Sequence, residues 1–466
     1  MRYLKTIGVC VVLWTPGFTN AETAPVHTAA QKEMQQILEP AQRGASFLLY
    51  DVGLNYELGR GVKADQQEAL RWYQKGAQAG ESRAQYRLGR FYENGSGSLH
   101  RNLKQAYEWY LRAAEQGHPG AQYALSVMLS NGQGVKQDDT AAYRWIERAA
   151  ASGDPESLHR QGFHLLTARG VTRNAELARQ VCLKAAEKGL AGAQFDLAQF
   201  YLRGDGVPHD VKAAIPWLER AANQAHVLAA SMLGKIYLSG QGISVDYAKA
   251  AVWLNRAAEL SDADAQYWLA RLIYLGLGVN KEESKATKWM TLAAEQGQFE
   301  AILELANRYH AGEGVPKNPA RALELYEQVA ERGHLDTQIW LAYRYQVGRE
   351  ISKNPAKAAY WFEKAAQQGD AWSHYNLGGA YLTGEGVPQD TLRAMQHLYA
   401  AAEQGQDLAQ WLYGATLADN ANSLEEARNA IIWLRRSYKQ GLIYAQETID
   451  VLCTRFQAAC QVPRNP

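Results

Sequence analysis

Residues 381–390 read YLTGEGVPQD, and near-copies stand at 201–210 (YLRGDGVPHD) and 309–318 (YHAGEGVPKN). Such a glycine-rich stretch is either a ligand-binding loop that was multiplied or the joint of a repeating scaffold. A phosphate-binding glycine loop follows a strand, opens a helix and is accompanied by a lysine and a serine or threonine. These copies follow helical patterns and lack that signature. We therefore interpret the loop as a joint.

The interval between copies is 36 residues over nearly the whole chain. It becomes 37 once, where the loop SGSLHRN carries an extra residue. A segment resembling AAEQG closes each copy, and its last residue is Gly44, Gly80, Gly117, Gly153, Gly189, Ala225, Ser261, Gly297, Gly333, Gly369, Gly405 and Gly441. Eleven repeats follow from this: 45–80, 81–117, 118–153, 154–189, 190–225, 226–261, 262–297, 298–333, 334–369, 370–405 and 406–441.

Small residues recur at fixed places within the repeats. Eleven residues before each closing position stands an alanine, and three residues later an indole follows in eight repeats, as in Ala106 and Trp109. A small residue comes four positions after that, so the three share one helical face. The first half of each repeat has its own column of small residues, for instance Gly89 and Gly378. Each repeat is therefore predicted to be two antiparallel helices, A and B, in an all-α fold.

The loop residues explain how one helix ends and the next begins. The first glycine can take the left-handed conformation that terminates helix A. An aspartate or asparagine then precedes helix B in nine repeats, where it is a good N-cap. These caps are Asp65, Asn102, Asp138, Asn174, Asp210, Asp246, Asn318, Asn354 and Asp390.

The pattern AQYxLGxxYxxGxGVxxDxxKAxxWYxKAAEQG resembles the Sel1-like repeat, a relative of the tetratricopeptide repeat. The resemblance implies a right-handed α-solenoid of about eleven 36-residue antiparallel helix pairs with terminal capping helices. It also implies a concave surface, lined by helix A, that holds other proteins or peptides. Three repeats depart from the pattern: 154–189 has Ala168 and Val181, 334–369 has Glu350 in place of a loop glycine, and 406–441 has no loop glycine. We expect these departures to change loops and not the fold.

The two ends of the chain differ from the repeats. Residues 1–21 have a basic start, a short apolar run and a small residue at the end, which predicts a cleaved signal peptide and a periplasmic or secreted protein. The lipoprotein-like context of Cys10 is weaker, so lipid anchoring is the lesser alternative. We assign 22–44 to an N-terminal segment with a capping helix. Residues 442–466 are predicted to be a C-terminal cap, because Asp450 replaces the small residue of the repeats.

Cys453 and Cys460 lie close together near the C-terminus. In one unbroken helix their α-carbons would be about 10.5 Å apart, at about 1.5 Å per residue, which exceeds disulfide reach. A disulfide therefore requires the helix to break between them, and two unpaired thiols are the alternative.

Composition and motifs argue against several functions. The chain carries 49 basic and 48 acidic residues, a formal charge of +1, so no overall field attracts nucleic acid or an anionic membrane. No later segment is apolar enough to span a membrane, and no zinc or nucleotide motif is present. We therefore predict neither enzyme activity nor a metal or cofactor. The alternative is a cell-wall hydrolase using Glu156, His159 and His164.

The variable positions of helix A remain for binding a partner. They carry Trp268 with Arg271, and Trp340 with Tyr343 and Arg344, while Trp372 begins the next helix A. Trp, Tyr and Arg are enriched at binding hot spots, and aromatic faces also stack on sugars, so polysaccharide is a further candidate ligand. The competing interpretation is that Trp268 and Trp340 are extra core.

Together with the resemblance to exported bacterial members of the family, these residues predict a non-enzymatic scaffold of the bacterial cell envelope. Its partners would be other envelope proteins or peptides, for instance in exopolysaccharide secretion. A secreted effector that binds host proteins is the alternative.

Overall fold

The computed structural model describes residues 29–460, and this part of the chain is entirely helical, with 24 α-helices, two short 3-10 turns and no strand. The terminal helices are α1 (Ala29–Gln42) and α24 (Tyr444–Arg455). The A helices are α2 (Leu49–Leu58), α4 (Ser82–Asn94), α6 (Pro119–Asn131), α8 (Pro155–Thr167), α10 (Ala191–Arg203), α12 (Val227–Ser239), α14 (Ala263–Leu275), α16 (Phe299–Ala311), α18 (Leu335–Val347), α20 (Ala371–Thr383) and α22 (Asp407–Asp419). The B helices are α3 (Gln66–Gln78), α5 (Leu103–Glu115), α7 (Asp139–Ala150), α9 (Ala175–Glu187), α11 (Val211–Asn223), α13 (Tyr247–Glu259), α15 (Glu283–Glu295), α17 (Pro319–Glu331), α19 (Pro355–Gln367), α21 (Thr391–Glu403) and α23 (Leu424–Lys439).

The predicted all-α fold of repeated helix pairs is confirmed. The chain divides into two compact units, Met1–Trp217 and Leu218–Pro466, and the division falls inside α11. The same helical hairpin recurs in both. The signal peptide predicted for residues 1–21 lies outside the described residues.

The start of helix B is fixed by the predicted caps. All nine Asp and Asn side chains accept a hydrogen bond from a backbone N–H of the first helical turn, for example Asp390 from Arg393 at 3.0 Å. Each such cap stabilises its helix by roughly 0.5–2 kcal/mol relative to alanine. The cap predictions are confirmed, and local chemistry therefore sets this boundary.

The end of helix A is fixed by left-handed residues in the loop. Gly384 and Gly386 have φ angles of 75° and 83°, and in the departing repeats Ala168 (57°) and Glu350 (71°) take the same region without being glycine. In repeat 406–441 helix A ends at Asn420 with φ −93° instead. All three departing repeats keep their helix pairs, as expected, but only repeat 406–441 has a different loop; at Ala168 and Glu350 the backbone keeps the left-handed conformation of the other repeats.

The second loop glycine is required by packing between neighbouring repeats. A Cβ at Gly386 would overlap the carbonyl of Pro355, which begins the preceding helix B, and Gly170 has the same relation to Asp139. At the first loop, a Cβ at Gly61 would overlap the carbonyl of Ala30 in α1. Helix α1 thus occupies the place of a helix B ahead of the first repeat.

A column of buried glutamines connects the repeats. Six repeats carry Gln five residues after the closing position of the preceding repeat, and its amide donates to the carbonyl eight residues earlier, as Gln338 does to Ala330 at 2.8 Å. In four of them, the Gln oxygen accepts a bond from a Gln of the following helix B, as from Gln368 to Gln338 at 2.8 Å. Because buried amides need partners, this ladder keeps neighbouring hairpins in register.

The C-terminal segment packs as one further helix. Ile449 and Leu452 of α24 are buried, whereas Asp450 is exposed. The helix ends at Arg455, and Phe456 takes an extended φ of −129°. Cys453 and Cys460 form a disulfide with their α-carbons 5.7 Å apart. The helix break that this bond requires is therefore present.

Candidate interaction surface

The six side chains predicted to bind a partner lie on three A helices of the second compact unit: α14, α18 and α20. Tyr343 is 47% exposed and Trp372 is 40% exposed. Trp268 and Trp340 are partly buried and pack against the core. The two indoles are thus shared between core and surface, and Tyr343 and Trp372 offer the larger free area.

Trp340 is held by aromatic contacts on several sides. Its ring centroid lies 4.6 Å from that of Tyr326 and 6.0 Å from that of His310, which meets it edge-on. The guanidinium of Arg344 lies 5.1 Å from its ring centroid. Burial raises the pKa of Tyr326, so this phenol stays neutral. These contacts restrict the Trp340 rotamer and present one edge of a rigid aromatic group.

Glu350 partly neutralises the positive charge of Arg344 beside Trp340. Its carboxylate pairs with Arg344 at 3.1 Å and with His310 at 3.7 Å. The residue holds a left-handed φ of 71°, which costs roughly 1–2 kcal/mol for a residue with a side chain. Gly386 takes the same conformation at the equivalent position of the next repeat, so this conformation belongs to the joint of the repeat.

The surroundings of Trp268 are arranged in a similar way. The Arg271 guanidinium lies 5.5 Å from the Trp268 ring centroid, and its Nε is 3.9 Å from a Glu304 oxygen on α16. Glu304 also pairs at 2.7 Å with Arg308, which is buried with its guanidinium 4.1 Å from the Tyr274 ring centroid. The positive charge of Arg271 is therefore partly neutralised before any partner arrives.

A groove lies next to Trp372 on α20. The Trp372 and Tyr375 rings are 5.5 Å apart, and the Asn376 amide donates to the Trp372 carbonyl. Gln346 of α18 donates to Asn376 at 3.3 Å. Beyond these amides opens a groove of about 210 Å³. Gly379 lines it, and a Cβ built there meets no atom within 4 Å.

Contacts between A helices make these positions one surface within the second compact unit. Arg271 with Glu304 connects α14 to α16, His310 with Trp340 connects α16 to α18, and Gln346 with Asn376 connects α18 to α20. We call this set of positions the aromatic surface, formed by Trp268, Arg271, Trp340, Tyr343, Arg344 and Trp372.

The residues of the hydrolase alternative have separate partners. His159 pairs with Asp196 at 2.7 Å, whereas His164 is fully buried and its Nδ1 lies 2.8 Å from the Arg169 carbonyl. Burial lowers the pKa of His164, and Glu156 is exposed. The two histidines therefore contact different partners.

Neither a metal-binding cluster nor a membrane-spanning helix is found within residues 29–460. No cluster of three or more His, Cys, Asp or Glu side chains in this range is arranged to hold a metal ion. No helix in the same range has the length and apolar character needed to cross a bilayer. The three histidines that share one repeat position, His118, His226 and His334, accept backbone hydrogen bonds as N-caps of A helices.

Sequence reasoning missed two features of this region. The sequence signal for the groove beside Trp372 is the pair Gly378-Gly379. Gly378 belongs to the column of small residues that helix packing requires, whereas Gly379 lies outside that column and leaves the helix without a side chain there. The glutamine ladder was signalled by the AQ dipeptide that opens many A helices. Both signals can be read from the sequence, but the contacts that these glycine and glutamine residues make cannot.

A model of the Sel1 repeat matches residues 47–81, 82–118, 119–154, 155–190, 191–226, 227–262, 263–298, 299–334, 335–370, 373–406 and 424–442. The chain belongs to the Sel1 repeat family. Sel1 repeat proteins are generally scaffolds that bind other proteins, and their helical repeats are generally non-catalytic.

Two solved structures of Sel1 repeat proteins are similar to this chain. One is c5321, a protective antigen of uropathogenic Escherichia coli displaying an SLR fold, with 31% identity, a TM-score of 0.66 and coverage of 91% of this chain and 90% of that one. The other is a Sel1 repeat protein from Oxalobacter formigenes, with 30% identity, a TM-score of 0.53 and coverage of 72% and 98%.

Among curated proteins, 64 residues are 42% identical to the ERAD-associated E3 ubiquitin-protein ligase component HRD3A of Arabidopsis thaliana. The match covers 13% of this Sel1 repeat protein and only 9% of the length of HRD3A. It therefore concerns the repeat and not the whole relative.

Proposed function

We propose that this Sel1 repeat protein is a non-enzymatic scaffold of the bacterial cell envelope that binds another protein on its aromatic surface. One observation carries the proposal: Tyr343 and Trp372 are exposed on the neighbouring A helices α18 and α20, and Tyr375, whose ring contacts Trp372, lines a groove between α18, α19 and α20. The repeated Ala and Gln side chains, by contrast, are buried between helices. The variable aromatic residues are thus the ones left to meet a partner.

The contacts favour a peptide segment of the partner as the bound element. Asn376 and Gln346 carry amides, which donate and accept hydrogen bonds as a peptide backbone does. The groove beside Gly379 takes one apolar or aromatic side chain, and Tyr375, whose ring contacts Trp372, forms part of its wall. Buried aromatic anchors of this kind dominate binding energy. A polysaccharide that stacks on the same rings is a separate outcome of the test below.

Three observations support a site of action outside the cytoplasm. Residues 1–21 have the pattern of a signal peptide. The Cys453–Cys460 disulfide is stable in oxidising compartments. The similar Escherichia coli protein is described as a protective antigen, which is a protein that host immunity encounters. Within the envelope, we place the protein in an assembly such as exopolysaccharide secretion.

The test uses a photoreactive aromatic amino acid at position 343 in intact cells. We expect it to capture one partner, and we expect Trp372→Ala in the same chain to reduce capture by at least about tenfold, because loss of a hot-spot residue costs more than roughly 1–2 kcal/mol. The matched control is the same photoreactive group at Tyr438, an equally exposed tyrosine on helix B, which should capture no partner.

Unchanged capture by a folded Trp372→Ala chain would reject the aromatic surface as the binding site. Cross-links to glycan alone would replace the protein partner by polysaccharide. Fractionation of cells then distinguishes a periplasmic scaffold from an effector released into the medium. Trp268→Ala and Trp340→Ala are less suitable first variants, because both indoles also support the core.

A further inference from the structure

The groove beside Gly379 coincides with one position of the repeat. Eleven residues after the closing position of the preceding repeat, helix A of five repeats carries a large apolar side chain that is at most 9% exposed: Phe91, Met128, Phe200, Ile236 and Leu272. In repeat 370–405 this position holds Ala380, the smallest residue of the column. Ala380 is partly exposed and lines the groove. The groove therefore lies where other repeats place a side chain of their own.

Repeat 81–117 shows how this place is filled. The Phe91 ring meets Tyr73 of the preceding helix B edge-on, with the ring centroids 5.5 Å apart. The residue equivalent to Tyr73 in the repeat before Ala380 is Phe362, because both stand seven residues before a closing position. Phe362 lines the groove. Ala380 thus offers only a methyl group at the place where Phe91 offers a ring.

The residue before Ala380 leaves the groove open. Gly379 is the only glycine at the tenth position of this count. The same position carries a long or polar side chain in several other repeats, among them Arg90, Gln199, Lys235, Arg271, Asn307 and Tyr343. Two consecutive small residues therefore remove the inner side chain that would fill the groove and the outer one that would project beside it.

We propose that the groove accepts one apolar side chain of phenylalanine size from the partner, next to a basic residue of the same segment. This inference rests on the partner-binding function proposed above and names the chemistry that the groove recognises. Two rings, Phe362 and Tyr375, belong to the groove walls, so an aromatic side chain finds ring contacts there like that of Phe91 with Tyr73.

The charge beside the groove favours a basic neighbour. Glu385 is the one charged residue among the described residues that line it. Its carboxylate pairs with Lys353 at 2.8 Å, and both side chains are about half exposed. Exposed pairs of this kind are weak. A basic residue of the partner can therefore share the Glu385 carboxylate.

The experiment titrates the full chain, labelled with 3-fluorotyrosine at position 375, with the peptide acetyl-GKFKG-amide and follows the fluorine NMR signal. We expect a saturable shift. Acetyl-GKAKG-amide should bind ~10–100-fold more weakly, because it lacks the apolar side chain that the groove buries. Acetyl-GEFEG-amide should bind at least ~2-fold more weakly at low salt, because it places negative charge beside Glu385.

Ala380→Leu fills the groove from within. We expect this variant to fold, because Leu272 occupies the same column, and we expect its unfolding midpoint in urea to be at least that of the wild type. It should bind acetyl-GKFKG-amide at least ~10-fold more weakly. The matched control is Ala311→Leu on α16, an exposed position whose equivalent in another repeat is Leu275. This variant should bind the peptide as the wild type does.

If Ala380→Leu does not fold, the premise that the chain leaves this place vacant is wrong. Gly379→Tyr then tests the opening independently, because it introduces the residue type of Tyr343 where a Cβ meets no atom within 4 Å. The proposal also fails if acetyl-GKFKG-amide does not shift the signal, if acetyl-GKAKG-amide binds equally well, or if the folded groove variants bind like the wild type. Equal binding of acetyl-GEFEG-amide would reject the basic neighbour.

Photo-cross-linking at position 343 distinguishes this inference from the proposed function. Capture that depends on Trp372 but is unchanged by Ala380→Leu would reject the groove as the anchor site and leave the scaffold function in place. Peptide binding that Ala380→Leu abolishes, without any capture in cells, would support the groove and reject the proposed function.

Discussion

Repeats 154–189 and 370–405 both carry histidines where most repeats have other residues, but they use them differently. In 154–189, His164 is fully buried, with Nδ1 2.8 Å from the Arg169 carbonyl and Nε2 3.4 Å from the Ser130 hydroxyl. In 370–405, His374 and His397 stay partly exposed and meet each other. The ring nitrogens of His164 therefore contact the neighbouring joint, whereas the Nδ1 atoms of His374 and His397 face each other across 2.9 Å.

The difference originates in the loops. Repeat 154–189 lacks the first loop glycine, and Arg169 follows the left-handed Ala168 there. Arg169 pairs with Asp139 at 2.8 Å and also donates to the Ser130 carbonyl. A polar network that includes His164 therefore holds a joint that lacks its usual glycine.

Repeat 370–405 has the ordinary loop, with Gly384 and Gly386 in the left-handed region. Its joint needs no support from the histidines, which lie on the faces of α20 and α21. The comparison teaches that the same residue type supports a joint in one repeat and a contact between paired helices in the other.

The largest effect on stability is expected at the second loop glycine, which both repeats have. Gly170→Ala and Gly386→Ala should each lower the free energy of unfolding by about 2–5 kcal/mol, the sum of left-handed strain and overpacking against the preceding helix B. The measurement is urea unfolding followed by circular dichroism. The controls are Gly189→Ala and Gly405→Ala, which are also left-handed but meet no atom within 4 Å. They should cost only about 1–2 kcal/mol, and equal losses in all four would show that contact with helix B is unimportant.

The next largest effect on stability is expected to differ between the two repeats. His164→Ala should destabilise the protein by about 2–4 kcal/mol, because it opens a cavity and leaves the partly buried Arg169 carbonyl without its donor. His374→Gln should change stability by less than about 1 kcal/mol, because Gln forms the ladder bond in six other repeats. Urea unfolding of the two variants side by side checks this. A larger loss from His374→Gln than from His164→Ala would show that His374, and not His164, is the more important histidine for stability.

The smallest effect is a pH dependence. Burial is the main cause that lowers the pKa of His164, His374 and His397 below the value of about 6.5 in an unfolded chain. Above that pH the histidines are neutral in both states and contribute nothing. As the pH falls below it, the unfolded chain takes up protons first, so stability decreases. The slope for fully buried His164 is at most about 1.4 kcal/mol per pH unit.

Unfolding midpoints measured in urea between pH 7.5 and pH 5 test this dependence. The double variant His374→Gln/His397→Trp removes two of the titrating groups and should show a shallower decrease than the wild type. A decrease of equal steepness in both proteins would mean that protonation of His374 and His397 is not coupled to unfolding. The contrast between the two repeats would then depend on His164 alone.

The sequence by itself determined the repeat length, the helix pairs and the joints. These features depend on residues close together in the chain. Asp390 caps the helix that it precedes, and Gly384 ends the helix that it follows, because capping and left-handed backbone are local properties. A pattern repeated eleven times makes such local rules unambiguous even where one repeat departs from them.

Only the tertiary structure decided what the variable side chains do. Trp340 and Trp372 look equally available in the sequence, yet Trp340 rests on Tyr326 and Trp372 stands beside an open groove. His374 and His397 meet because α20 and α21 pack side by side. The exposure and the contacts of a side chain depend on helices that are distant in the chain. The residue pattern within one repeat does not specify which side chains of those helices will lie next to it.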